Sequence, residues 1–594
     1  MCGIAGIYAF STNTPPVNTE ELIRIRDTMT ARGPDGKGLW VSANKRCGLV
    51  HTRLAIIDLT EAGHQPMPTP DGRYHISFNG EIYNYQNLKA ELEQKGHRFK
   101  SHSDTEVLLH LYQEHGADML SKLRGMFAIA IWDEQEQTLF LARDHFGIKP
   151  LYIANDGKSI RFASQVKALL AGGQIDTTPE PAGLVGFYLW GSVPEPFTRH
   201  KGIRALPAGS FITINSKGHT QQHSYFDLNQ ALRTPSEPIT ALNKSDALAL
   251  LHSTLADSVK HHLIADVPVG VFLSAGLDSS TLVALASEVK DTQLRTVTLG
   301  FKEYVGTDND ETILAQTVAD HYHTQHSTKW VAQADFTAEY QTLLNAMDQP
   351  SIDGVNTYFV CKAAKEAGLK VALSGIGGDE LLGGYPSFTQ LPKMVKALKP
   401  FGALPLIGKG FRLMSTPILK HYTSPKYAGL FEYGSNYEGA YLLRRGLYMP
   451  WELPQVLDSE TIKEGWQSLN GLTVLKQSHT GISNNHLKVS ALEINHYMRN
   501  QLLRDTDWAS MAHSLEVRTP LIDIDVFKAI TTIAHSNSPA TKIDMANSPN
   551  KELPQTILNK EKTGFSIPVS NWMKYDSKSN KNNYKIWGHE ILKK

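Results

Sequence analysis

Short apolar runs bounded by turn residues dominate the first part of the chain. Gly3 to Phe10, Arg73 to Phe78, Gly125 to Trp132, Thr138 to Arg143 and Leu151 to Ile153 are rich in β-branched and aromatic residues, and Gly, Asp or Asn closes each, which is the pattern of strands. Asn84 to Gln94 and Thr105 to His115 show helical spacing instead, so this region reads as an α+β domain built on packed sheets. The rhythm changes after the polar, Pro- and Ser-containing passage Asn229 to Lys244. Ser245 is placed to cap a helix whose Leu248, Leu251, Leu255, Val259 and Leu263 share one face. Strand-loop-helix (Val269 to Ser287), strand (Thr296 to Phe301), helix (Glu311 to His321), helix (Thr357 to Ala367) and strand (Lys370 to Ser374) follow. Such alternation predicts an α/β domain, a parallel sheet with helices on both faces. Residues 390 to 530 read as helical and aromatic-rich, and the last twenty, rich in Lys, Asn and Ser, as a loosely ordered tail. The expected division is 1–215, a linker at 216–244, a second domain at 245–573 and the tail at 574–594.

Length supports two domains, since 594 residues exceed what a single core holds. Lys plus Arg equals Asp plus Glu at 59 each, so no overall field favours nucleic acid or an anionic membrane. Three cysteines (Cys2, Cys47, Cys361) make no disulfide framework and suggest a reducing, cytoplasmic setting. The apolar start lacks a basic segment, and Leu263 to Leu277 is broken by Asp266 and Pro268, so neither a signal peptide nor a membrane span is expected.

Cys2 becomes the N-terminal residue once Met1 is removed, and its own α-amino group, with a reference pKa of ~7.7–8.0, can then serve the thiol as base. Four segments accompany it: the turn-rich loop Ala31 to Gly36; His51-Thr52-Arg53-Leu54, a guanidinium beside an apolar strand; Asn79-Gly80-Glu81-Ile82-Tyr83-Asn84, a side-chain amide and an unhindered N–H suited to an oxyanion hole; and Ser103-Asp104-Thr105-Glu106, a carboxylate at a helix start. In order and spacing they resemble the class II glutamine amidotransferase domain, an Ntn-hydrolase-type sandwich, from residue 2 to about 170. The resemblance implies that Cys2 attacks the glutamine amide and that Asn79 and Gly80 hold the oxyanion. Arg53 would bind the substrate α-carboxylate and Asp104 its α-ammonium, with Glu81 also in the glutamine site. Arg143 to Tyr152 also fits that family and reads as architectural.

Downstream, the buried-strand run Val269 to Leu273 leads into Ser274-Ala275-Gly276-Leu277-Asp278-Ser279-Ser280, a small-residue loop before a helix, as anion binding requires. The loop resembles the pyrophosphate motif of the ATP-pyrophosphatase fold. Ala275 stands where a glycine is usual, which is acceptable if its φ is negative. By that resemblance Ser274, Gly276 and Ser279 bind ATP, Leu273, Leu299, Ser374 and Gly375 border adenine and ribose, and Asp278 holds Mg²⁺, with Asp379 as a second ligand. A second loop, Ser374 to Tyr385, with Arg504 to Pro520 and Lys560 to Phe565, extends the likeness to glutamine-hydrolysing asparagine synthetases over nearly the whole chain. In that family a carboxylate is adenylylated and then attacked by ammonia delivered through a closed passage, and Lys562 matches the lysine that stabilises the acyl-adenylate. Implied with it are ATP with Mg²⁺ as substrate, no tightly bound organic cofactor, small-molecule partners and a homodimer. Ile376 and Gln349 stand where glutamates are expected near the acceptor. Asparagine synthesis therefore competes with amidation of another carboxylate, such as a uronic acid, and with a non-catalytic binding protein on this fold.

Overall fold

The computed structural model describes residues 2–234, 242–289, 293–403, 405–422, 424–560, 572 and 580–592. Two antiparallel six-stranded sheets form the N-terminal part. In the first, Gly3–Tyr8 is central and pairs with Cys47–Arg53 on one side and Ile160–Ala163 on the other. In the second, Tyr74–Ile82, Gly125–Asp133 and Thr138–Arg143 are successive neighbours. All six residues of Gly3–Tyr8 are buried, and the twofold alternation of a strand explains how. Ile4 and Tyr8 join a core between the sheets with Ala128, Trp132, Leu141 and Ile212. Ala5 and Ile7 face the other way, into a core with Leu22 and Ile25 of the Thr19–Thr28 helix and with Leu169. The outer face of the second sheet is covered by the Tyr85–Gln94 and Asp104–His115 helices. The result is a helix–sheet–sheet–helix sandwich whose strands are apolar on both faces, hence the unbroken runs in the sequence.

The second part is built on five parallel strands in the order Gln325–Val331, Arg295–Phe301, Val269–Phe272, Val371–Leu373, Glu516–Arg518. Apolar cores lie on both of its faces.

Three expectations need correction. Position 215 falls inside a hairpin, because Thr220–Ser224 pairs with Ser210–Ile214 at the edge of the second sheet. Its five residues are exposed, which made an edge strand look like a linker. The Lys244–His262 helix is capped by Asn243, whose side chain accepts from the Asp246 N–H at 3.0 Å; Ser245 lies inside the helix. The tail is helical over Asn580–Leu592, where buried Trp587 and Ile591 join a core of the second domain and the Tyr188 hydroxyl meets His589 Nδ1 at 3.3 Å. Trp587 and Ile591, four apart, share one face of this helix and anchor it, a signal the composition of the tail hides.

The domains meet across buried charge. Arg124 pairs with Asp523 (2.8 Å) and Asp257 (2.6 Å), Arg32 with Asp507 (2.6 Å), and Arg518 with Glu81 (3.2 Å). Asp348 accepts from the Val166 and Lys167 N–H groups at 2.9 and 3.0 Å, capping a helix of the other domain.

Replacing Asn243 with Ala is expected to cost about 1 kcal/mol of second-domain stability, and Ser245→Ala under about 0.5 kcal/mol, read as shifts in denaturant midpoint.

Candidate functional site

Cys2 precedes the central strand of the first sheet, and Gly3 lies opposite Thr52, so Arg53 comes up beside it. Asn79, Gly80 and Glu81 lie on the Tyr74–Ile82 strand of the second sheet, and the Cys2 nitrogen, the atom that becomes the free α-amino group, donates to Asn79 Oδ1 at 2.9 Å. That bond joins the two sheets at one end. It also turns the Asn79 amide so that Nδ2 is buried with no hydrogen-bond partner among the described residues. A donor left open in this way is what an oxyanion would occupy. Gly80 has no alternative, since a Cβ there would lie 2.0 Å from the Met126 carbonyl oxygen.

Ser103 caps the Asp104–His115 helix, and Asp104 Oδ2 accepts from the Ile82 N–H at 3.0 Å. Burial pushes the Asp104 carboxyl up to about 6. Arg53 is held by its Nη1–H to the Thr60 carbonyl (2.7 Å) and its Nη2–H to the Asp58 carbonyl. A guanidinium has five N–H groups, so donors remain for a ligand. Cys2, Arg53, Gly80, Glu81 and Asp104 line one cavity of about 30 Å³. That is room for about two waters. Burial raises the Cys2 thiol pKa, against the pull of the positive chain terminus and a backbone hydrogen bond from Leu54. The thiol therefore needs a base.

The Ser274–Ser280 loop leaves the central strand Val269–Phe272, next to the loop that leaves Val371–Leu373, so both open at strand carboxyl ends, where α/β sheets bind ligands. A cavity of about 300 Å³ lies there, lined by Leu273, Ser274, Gly276, Asp278, Ser279, Leu299, Ser374 and Gly375 together with Ile376, Asp379, Glu380 and Asp505. Ser279 Oγ sits 3.2 Å from both the Ser274 N–H and Ser274 Oγ, which shapes the loop. Ala275 has φ of +51°, not a negative value, and is wholly buried. Such a conformation costs an alanine about 1–2 kcal/mol.

Asp278 and Asp379 face each other across the ammonium of Lys542, which lies 2.7 Å from Asp278 Oδ2 and also pairs with Asp379. Asp278 Oδ1 is buried and has no hydrogen-bond partner among the described residues. Two carboxylates with an open oxygen suit Mg²⁺, which typically takes one or two carboxylates plus phosphate oxygens. Glu380 is engaged elsewhere, accepting from the Tyr385 hydroxyl (2.7 Å) and the Gly377 N–H (3.1 Å), and burial lifts it to about 7. Asp505, which accepts from Ser351 Oγ (2.6 Å) and Trp508 Nε1–H (2.8 Å), is likewise raised by burial to about 7.

Gln349 does not border this cavity. It is buried at the domain boundary, where Oε1 accepts from the Arg199 N–H at 3.3 Å, so of the two departures only Ile376 lines the cavity. Lys562 lies outside the described residues. Lys542 and Asp505 carried no sequence signal of their own: one is a lone lysine in a polar stretch, the other one carboxylate among several.

The sandwich with its Cys2–Asn79 end defines a glutamine amidotransferase of Ntn type, joined to a parallel-sheet domain consistent with the ATP-pyrophosphatase fold. The family model described as glutamine amidotransferase domain matches residues 1–226, and that described as asparagine synthase matches 250–583. The chain belongs to the glutamine-hydrolysing asparagine synthase family, and it is a glutamine-dependent carbon–nitrogen ligase that uses ATP. It is 32% identical to asparagine synthetase [glutamine-hydrolyzing] 1 of Bacillus subtilis, over 97% of this chain and 88% of that one. A putative asparagine synthetase of Mycobacterium tuberculosis is 31% identical over the same shares. Amidase chry2 of Gibberella zeae is 32% identical over 65% of this chain and 60% of its own. Among the described residues, no helix is long and apolar enough to cross a membrane.

Ala275→Gly is expected to stabilise the second domain by about 1 kcal/mol by removing the left-handed cost. A higher melting midpoint with pyrophosphate release intact is the result that checks it.

Proposed function

We propose that the protein is an asparagine synthase, converting L-aspartate, L-glutamine, ATP and water to L-asparagine, L-glutamate, AMP and diphosphate. The observation that carries the glutaminase half is the Cys2–Asn79 arrangement. With Met1 removed, the α-amino group takes the thiol proton and the thiolate attacks the glutamine amide carbon; the intermediate collapses as that proton passes to the leaving ammonia, and water then hydrolyses the thioester to glutamate and the free thiol. The Asn79 Nδ2–H and the Gly80 N–H receive the oxyanion, while Arg53 binds the α-carboxylate and Asp104 the α-ammonium. Glu81 lines the same cavity, 3.2 Å from Arg518, and burial beside the Glu516 carboxylate pushes its own carboxyl up, so it serves there as a hydrogen-bonding group.

In the second cavity Ser274, Gly276 and Ser279 cradle the phosphates, and Leu273, Leu299, Ser374 and Gly375 border the nucleoside. Mg²⁺ accompanying ATP would be held by Asp278 and Asp379 and would neutralise the polyphosphate. Lys562 is assigned to the acyl-adenylate from its motif alone. Aspartate attacks the α-phosphorus through a carboxylate oxygen, expelling diphosphate. Ammonia then displaces AMP from the acyl carbon. Ammonia that escaped to water would be protonated and lose its nucleophilic lone pair, which favours transfer along the domain boundary. Purified protein that releases diphosphate but forms no asparagine from aspartate, glutamine and ATP would overturn the choice of acceptor.

Cys2→Ala is expected to abolish glutamine-driven asparagine formation and to leave ammonium-driven formation within about twofold, measured with both nitrogen sources. Asn79→Ala is expected to lower glutaminase kcat about 10²–10³-fold with a smaller change in KM. Asp104 must be ionised to pair with the substrate ammonium. Burial lifts its carboxyl to about 6, so KM for glutamine is expected to rise as pH falls below that value, by up to about tenfold per unit, while KM for aspartate in the ammonium-driven reaction is expected to show no such rise.

A further inference from the structure

Arg32 belongs to the amidotransferase domain, yet its guanidinium spans both domains. Its Nε–H donates to the backbone carbonyl of Cys2 at 3.0 Å, and its Nη1–H and Nη2–H donate to Asp507 Oδ2 and Oδ1 at 2.6 and 3.0 Å. Both side chains are almost wholly buried, at 1% and 6% exposure. Asp507 sits on the Arg504–Met511 helix, which continues from the π-helical segment Glu493–Leu503. Its neighbours Asp505 and Thr506 line the nucleotide cavity. One guanidinium thus connects the backbone of the nucleophile to a helix that forms a wall of the other cavity.

As a stability device this pair is a poor choice, because desolvating two charges offsets most of their attraction. Arg124 with Asp523 and Asp257 already bridges the domains without touching Cys2. What the Arg32 pair adds is direction. A bidentate carboxylate fixes the plane of the guanidinium, and the fixed plane aims Nε at the Cys2 carbonyl. The thiol, the α-amino group and Asn79 lie within a few bonds of that carbonyl.

We propose that Arg32 and Asp507 are positioning residues for glutamine hydrolysis, through which the synthetase domain sets the geometry of Cys2. The inference rests on the nucleophilic role assigned to Cys2. The bidentate pair holds Arg32, Arg32 holds the Cys2 carbonyl, and the attacking sulfur keeps its approach to the amide carbon. Removing charge at position 507 leaves Arg32 free to turn, and misplacement of a reacting group by about 1 Å can cost about 100-fold in rate.

The test compares full-length wild type, Asp507→Asn, Arg32→Gln and the double variant, with Cys2→Ala as reference. Glutaminase kcat and KM, ammonium-driven diphosphate release and melting midpoint are measured for each. The expected result is a fall in glutaminase kcat of about 10- to 100-fold in each single variant, with KM within about threefold and ammonium-driven release within about twofold. The double variant is expected to be no worse than the poorer single one, because both act through one link. Unchanged kcat in Asp507→Asn, parallel loss of both activities, or additive losses in the double variant would each overturn the inference. If wild type hydrolyses glutamine no faster than Cys2→Ala, the role of Cys2 fails instead, and the two failures are distinct.

Discussion

Charge buried at the domain boundary is the constraint on which the rest of the structure depends. Arg518 and Glu516 are wholly buried, 2.6 Å apart, and Arg518 reaches Glu81 in the other domain at 3.2 Å. Burial works against the Glu516 carboxylate, but nearby positive charge, Arg518 and Lys149 among it, outweighs burial and holds the carboxyl below its ordinary range. A charge withdrawn from water is tolerable only while its partners stay in place, and breaking such a pair costs about 3–5 kcal/mol. These contacts thus fix the relative placement of the domains. The same lock sets the distance between the Cys2 cavity and the nucleotide cavity, because Glu81 lines the first and Val517, between Glu516 and Arg518, lines the second.

Both cavities would set backbone and short polar side chains against an anion, one from inside the Tyr74–Ile82 strand and the other from the loop after Val269–Phe272. At Gly80 the anion would be an oxygen of the tetrahedral intermediate, and at Gly276 a phosphate. The open donor on Asn79 and the open acceptor on Asp278 are complementary signs of ligands that complete each site. Their opposite polarity matches an oxyanion in one case and a cation-escorted polyphosphate in the other.

Much of this was legible in the sequence where function is local. Cys2, Asn79-Gly80 and Ser274 to Ser279 are short local motifs, which the structure gathers at two cavities, and the sheets follow from unbroken apolar runs and from strand–helix alternation. Features that depend on distant partners were not legible. The role of Asn243 rather than Ser245 as cap turns on one backbone dihedral. Gln349 reads as an acceptor-site residue until its bond to Arg199 of the other domain is seen. Lys542 meets Asp278 across 264 residues, and nothing near it announces that meeting. The tail's polar composition conceals two buried side chains, and Ala275 adopts a backbone that only the neighbouring loop imposes.

The closeness of the wall around Cys2 has a practical side. Its nitrogen is bonded to Asn79 inside a cavity with room for about two waters. A purification tag or a retained leader ahead of residue 2 would hold that nitrogen as an amide and crowd the same space. Protein prepared in that form would serve to study the ATP half-reaction and would mislead about the glutamine half. A protease that leaves cysteine first, or a methionine that the host trims, is therefore part of making the enzyme and not a convenience of handling.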